Sequence, residues 1–155
     1  MYKRILVPME NEAHQAAALA HVGLLARDVG ATVILAWLIP VVASDEYFMK
    51  RIQVEVGSSG ARRKEEGERF LCQAAEALRS TGVETITTIV VTVASPEQAI
   101  LETAQEEGVD LIVMATLPQS AVGRFLLGSV GEKVRYRSTV PVLFVNPATQ
   151  DQGKG

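Results

Sequence analysis

Gly128 and Ser129 have the types and the place that suit an anion. A small residue and a hydroxyl at the expected start of a helix present N–H groups and an O–H where the helix end is positive. Arg124, in the connection ahead of them, adds a guanidinium that could meet a phosphate, although a loop arginine is more often a solvated charge. Lys133, one turn further on, reads as solvated or salt-bridged. His14 and His21 lie two helical turns apart, about 10 Å, too far to share one metal ion. Cys72 is the single cysteine, so neither a disulfide nor a thiolate metal cluster can form within one chain. Its neighbours Phe70, Leu71, Ala74 and Ala75 predict a buried, inert helical thiol. There is no Gly-x-Ser-x-Gly, no Gly-x-x-x-x-Gly-Lys-Ser/Thr, no Cys-x-x-Cys and no His-Glu-x-x-His. Glu65-Glu66 and Glu106-Glu107 read as solvated helix faces. The residues offer an anion site and no catalytic set.

The elements that must position these residues alternate. Short β-branched runs are separated by longer helical patterns, the signature of βαβ units and a parallel sheet. Ile5-Leu6-Val7-Pro8 is apolar throughout, as a strand covered on both faces should be. Asn11 is placed to cap a helix that runs to about Val29 and closes at Gly30, and Thr32 to Leu38 forms the second strand. From Pro40 to Gly60 the pattern loosens and predicts a loop with a short amphipathic piece. A helix over Ala61 to Ser80 follows, then a third strand over Glu84 to Val93. Ser95-Pro96-Glu97 supplies an N-cap, a proline at the first helical position and an acid near the positive helix end. The fourth strand is Leu111 to Ala115, a further helix ends near Ser138, and Val140 to Val145 is the last strand.

The predicted fold is α/β, a three-layer sandwich around a five-stranded, doubly wound parallel sheet of Rossmann-like type. Ligands of such sheets sit at the carboxyl ends of the strands, so Pro8 and Glu10, Ala36 to Leu38, and the connection from Met114 to Val130 should meet there. A chain of 155 residues fits one domain, expected over residues 1–146 with a polar tail over 147–155. A net charge of −3 argues against a nucleic-acid or anionic-membrane footprint. No apolar run approaches the ~20 residues of a membrane span, and the opening residues lack a signal-peptide core, so a cytoplasmic protein is expected.

Ile5-Leu6-Val7-Pro8, Ser95-Pro96-Glu97-Gln98-Ala99-Ile100, Val109-Asp110-Leu111-Ile112-Val113-Met114, Leu126-Leu127-Gly128-Ser129-Val130 and Val140-Pro141-Val142-Leu143-Phe144-Val145 together resemble the universal stress protein family, in order and over nearly the whole chain. The resemblance implies that family's fold, which is like that of the adenine nucleotide alpha hydrolases. It also implies a homodimer, with Val140, Val142, Leu143, Phe144 and Val145 at a sheet edge that a second copy can pair. ATP-binding members carry Gly-x-x-Gly, nine residues, then Gly-Ser or Gly-Thr. Counting back from Gly128-Ser129 puts the other two glycine positions at Pro118 and Ala115. Proline has no N–H and a fixed φ, and alanine adds a methyl where bare backbone should face the ligand. Glu10 stands where those relatives carry aspartate. Trp37 stands where the family often has histidine, and reads as core packing before base stacking.

The resemblance to a branch with a degenerate motif implies a regulatory or stress-response module with weakened or lost ATP binding. Such a module is not an enzyme, needs no cofactor and acts on a protein partner. Two further readings stand beside it: an ATP- or AMP-binding protein with at most slow hydrolysis, and a small-molecule sensor using the same edge for another anion.

Overall fold

The computed structural model describes residues 1–9, 15–40, 46–115 and 125–145, with backbone alone at 15–17, 40, 46–61 and 125–129. Nine elements follow in order: β1 Arg4–Met9, α1 Gln15–Val29, β2 Thr32–Pro40, α2 Glu46–Ser80, β3 Ile86–Val93, α3 Pro96–Glu106, β4 Leu111–Ala115, α4 Phe125–Arg137 and β5 Val142–Val145. All strand pairs are parallel and the sheet order is β3-β2-β1-β4-β5. The chain winds outward through α1 and α2, then returns through α3 to the other side of β1, which is the expected doubly wound arrangement.

Successive strand residues serve opposite faces. Ile5, Val7, Val33, Leu35 and Val113 bury against Val22 of α1 and Leu71, Ala75 and Leu78 of α2. Leu6, Ile34, Leu38, Ile112 and Met114 bury against Ile100 of α3 and Val130 and Val134 of α4. These are the three layers that the apolar strands required. Gly30 and Gly108, at φ +70° and +60°, turn the chain out of α1 and α3 in the left-handed conformation that favours glycine.

Three expectations need correction. The helix expected from Ala61 begins at Glu46 and is one element of 35 residues. Proline is absent between Glu46 and Ser80, and glycine lowers helix propensity by only about 1 kcal/mol, so Gly57 and Gly60 do not stop a helix anchored by its packed carboxyl half. Cys72 is exposed on α2, because the buried face there is carried by Leu71, Ala74, Ala75 and Leu78. The last strand starts at Val142 rather than Val140. Ser138 donates its hydroxyl to the Val140 carbonyl (2.7 Å) and accepts from the Val140 N–H (3.1 Å), which turns the chain before it enters the sheet.

Candidate functional site

The ladder between β1 and β4 is short, and Pro8 lies where it stops. The Arg4 carbonyl accepts from the Asp110 N–H (3.0 Å), so by alternation Arg4, Leu6 and Pro8 direct their backbone polar groups toward β4. Pro8 has no N–H for the next rung. The β1–β4 pairing is accordingly confined to Ile5↔Leu111 and Leu6↔Ile112, whereas β1 runs in register with β2 as far as Met9↔Trp37. Here strand order reverses, so the connections that follow β1 and β4 leave toward opposite faces of the sheet. A proline in a central strand is the sequence signal for such a break.

The predicted edge residues divide between the two faces of the sheet. Leu38, Met114 and Val130 belong to one apolar cluster on the α3/α4 side. Met9 and Ala115 belong to the α1/α2 side, with Ala115 buried and paired to Val145. Trp37 also lies on that side. Its ring packs on Phe70, with centroids 4.9 Å apart, and approaches Gly67 so closely that an added Cβ would lie 2.4 Å from its Cδ1. Its packing role is therefore the observed one. Glu10, Pro118 and Arg124 lie outside the described residues, as does His14.

Gly128 and Ser129 do not start a helix. The helix α4 begins at Phe125, which places both within its opening turns. In an α-helix the Ser129 N–H falls to the carbonyl of residue 125 and is not left over for an anion. Phe125, Leu126 and Leu127 are compatible with helix, and the segment lacks a breaker ahead of Gly128, so the glycine marks no boundary.

Polar groups near this end of the sheet pair with one another. Lys133 Nζ of α4 lies 3.6 Å from Glu97 Oε1 of α3. The Glu97 carboxyl is held below its ordinary pKa chiefly by its own backbone N–H, against burial, with the Ser95 hydroxyl and Lys133 assisting. Ser95 occupies the N-cap position with extended backbone but makes no side-chain cap. Its expected cap, worth about 1 kcal/mol, is thus replaced by the contact with Glu97. Among the described residues no group of three or more His, Cys, Asp or Glu could hold a metal ion.

At the opposite end of the sheet is a polar clamp that sequence reading missed. Asp110 Oδ1 accepts from the N–H groups of Lys3 (3.1 Å) and Arg4 (3.0 Å), and Oδ2 from Lys3 (2.8 Å). Arg4 in turn donates to the Glu107 carbonyl (2.6 Å) and pairs with its carboxylate (3.1 Å). The signal was an acid directly before a buried strand, facing the residues that open β1. Burial would raise the Asp110 pKa, but the N–H groups of Lys3 and Arg4 outweigh it and the value is lowered. A lowered folded pKa contributes stability above the unfolded pKa, and that contribution is lost as pH falls through the folded one. Asp110→Asn should therefore cost about 1–2 kcal/mol at neutral pH and flatten the acid limb of the stability profile. Denaturant titrations across pH check this, and an unchanged acid limb would contradict it.

The family model for the universal stress protein family matches residues 1–146. This chain belongs to the universal stress protein family. A universal stress protein of Bacillus subtilis, YxiE, is 33% identical, with 94% of this chain and 99% of that protein covered. A solved structure of hypothetical protein MJ0577 is 30% identical with a TM-score of 0.74, covering 94% of this chain and 96% of that one. A universal stress protein solved in complex with cAMP shares the fold, at 24% identity, a TM-score of 0.68 and coverage of 94% and 97%.

Proposed function

We propose that this universal stress protein is a non-enzymatic regulatory module whose nucleotide site is weakened, working as a cytoplasmic homodimer on a protein partner. The observation that carries the reading is the position of Gly128 and Ser129 inside α4, where helical bonding takes up their own N–H groups, the donors that the motif would aim at a phosphate. The buried Ala115 adds to it, with a methyl in the position that the ATP-binding motif gives to glycine. Mass spectrometry of gently purified protein tests it. The expected result is no stoichiometric nucleotide, and a full complement of ATP or AMP would overturn the proposal.

A second reading, a nucleotide binder with at most slow hydrolysis, draws on the switch point between β1 and β4 and on relatives solved with cAMP and dAMP. The same preparation separates the two.

The dimer proposal draws on β5, an edge strand. The Pro141 carbonyl accepts from the Ile112 N–H (3.0 Å), so Pro141 aims its missing donor inward while Val142 and Phe144 direct their backbone groups outward. Leu143 is 44% exposed beside them. Val142→Lys should shift a dimer toward monomer in sedimentation equilibrium. A wild-type protein that sediments only as a ~17 kDa species at micromolar concentration contradicts the proposal.

A further inference from the structure

The sheet's other edge is β3, and its side chains include none of the usual guards against pairing. Ile86-Thr87-Thr88-Ile89-Val90-Val91-Thr92-Val93 has no charge, proline or glycine, the devices with which edge strands discourage pairing. The Thr85 carbonyl accepts from the Val33 N–H (3.0 Å), so odd-numbered residues face β2 and Ile86, Thr88, Val90 and Thr92 direct their backbone groups outward. Among the described residues no backbone hydrogen bond from outside the sheet reaches these four.

Alongside this edge α2 forms the wall of a groove of about 380 Å³, lined by Lys64, Glu68, Cys72 and Arg79 from the helix and Thr88 and Val90 from the strand. Lys64, Glu68, Cys72 and Arg79 recur at helical spacing on one stripe. Lys64 and Arg79 stand about 22 Å apart along the helix, the length of roughly seven extended residues. Neither they nor Glu68 forms an ion pair among the described residues.

The geometry points to a peptide-binding groove in which an extended segment of another protein adds as a strand to β3, under α2. Main-chain hydrogen bonds to Thr88 and Val90 supply the pairing, as in other strand-adding recognition. The charges choose the occupant: carboxylates at its two ends for Lys64 and Arg79, and a cation two residues in, opposite Glu68. A small apolar side chain between them faces the buried Leu71 and Ala75. The groove is distinct from both the carboxyl edge and β5.

The test uses the full chain and a labelled peptide, Asp-Thr-Lys-Thr-Val-Thr-Asp with blocked ends, followed by fluorescence anisotropy. Saturable binding below about 1 mM is expected, with an affinity loss of about tenfold or more in the Lys64→Glu/Arg79→Glu variant, because reversed charges repel the peptide ends. That variant should prefer Lys-Thr-Asp-Thr-Val-Thr-Lys. Bound peptide should slow alkylation of Cys72, the chain's one thiol, and protect the Thr88 and Val90 amides from exchange. Val90→Pro, tolerated on an edge strand, should weaken both peptides alike on their matching proteins. The proposal is overturned if wild type fails to bind, if charge reversal leaves preference unchanged, if protection maps elsewhere, or if β3 proves to be paired with a second copy.

Discussion

Gly67→Ala is expected to lower the stability of the protein by about 2 kcal/mol, a fall of roughly 4–8 °C in Tm for a chain of this size. Alanine should gain about 1 kcal/mol of helix propensity in the middle of α2. Its methyl, however, would lie 2.4 Å from Trp37 Cδ1 and 2.8 Å from Nε1. The indole cannot step aside cheaply, because Phe70 packs on it and Trp37 is held in register between Met9 and Val90. Overpacking of this kind costs about 1–3 kcal/mol and sometimes more, so the clash outweighs propensity. Trp37→Leu should remove most of the penalty, giving a large coupling energy in a double-mutant cycle. A Gly67→Ala protein as stable as wild type would contradict the packing of α2 on Trp37, and with it the removal of the indole from the ligand edge.

The five parallel strands and the burial of their alternate faces could be read from the sequence, because buried parallel strands are nearly continuous β-branched runs and the Gly30 and Gly108 stops are local signals. What escaped was non-local or lay between two opposing local tendencies. Asp110 clamps Lys3 and Arg4 across more than a hundred residues of chain, and no local pattern encodes that meeting. The start of α2 depends on how far a packed helix extends into residues of indifferent propensity. Cys72 was misplaced by its apolar neighbours, although the period of Leu71, Ala75 and Leu78 leaves position 72 outside the stripe. Gly128 reads as a helix start because glycine commonly marks a boundary, while the backbone is helical through it from Phe125.

Glu10→Asp, Ala115→Gly and Pro118→Gly together should tighten ATP binding by at least about tenfold. On the proposed reading, the added methyl at Ala115 and the N–H that proline lacks at Pro118 would each cost about 1–3 kcal/mol of binding. The Ala115→Gly part removes a buried methyl and should by itself cost some stability, so the gain must be read as affinity at a temperature where both proteins are folded. A restored variant that binds no tighter than wild type would show that these three residues are not what weakens the site.

The most direct measurement is titration calorimetry of ATP into the unmodified protein. The weakened site predicts a Kd no tighter than about 100 μM, or no heat at all. A Kd in the low micromolar range would contradict it.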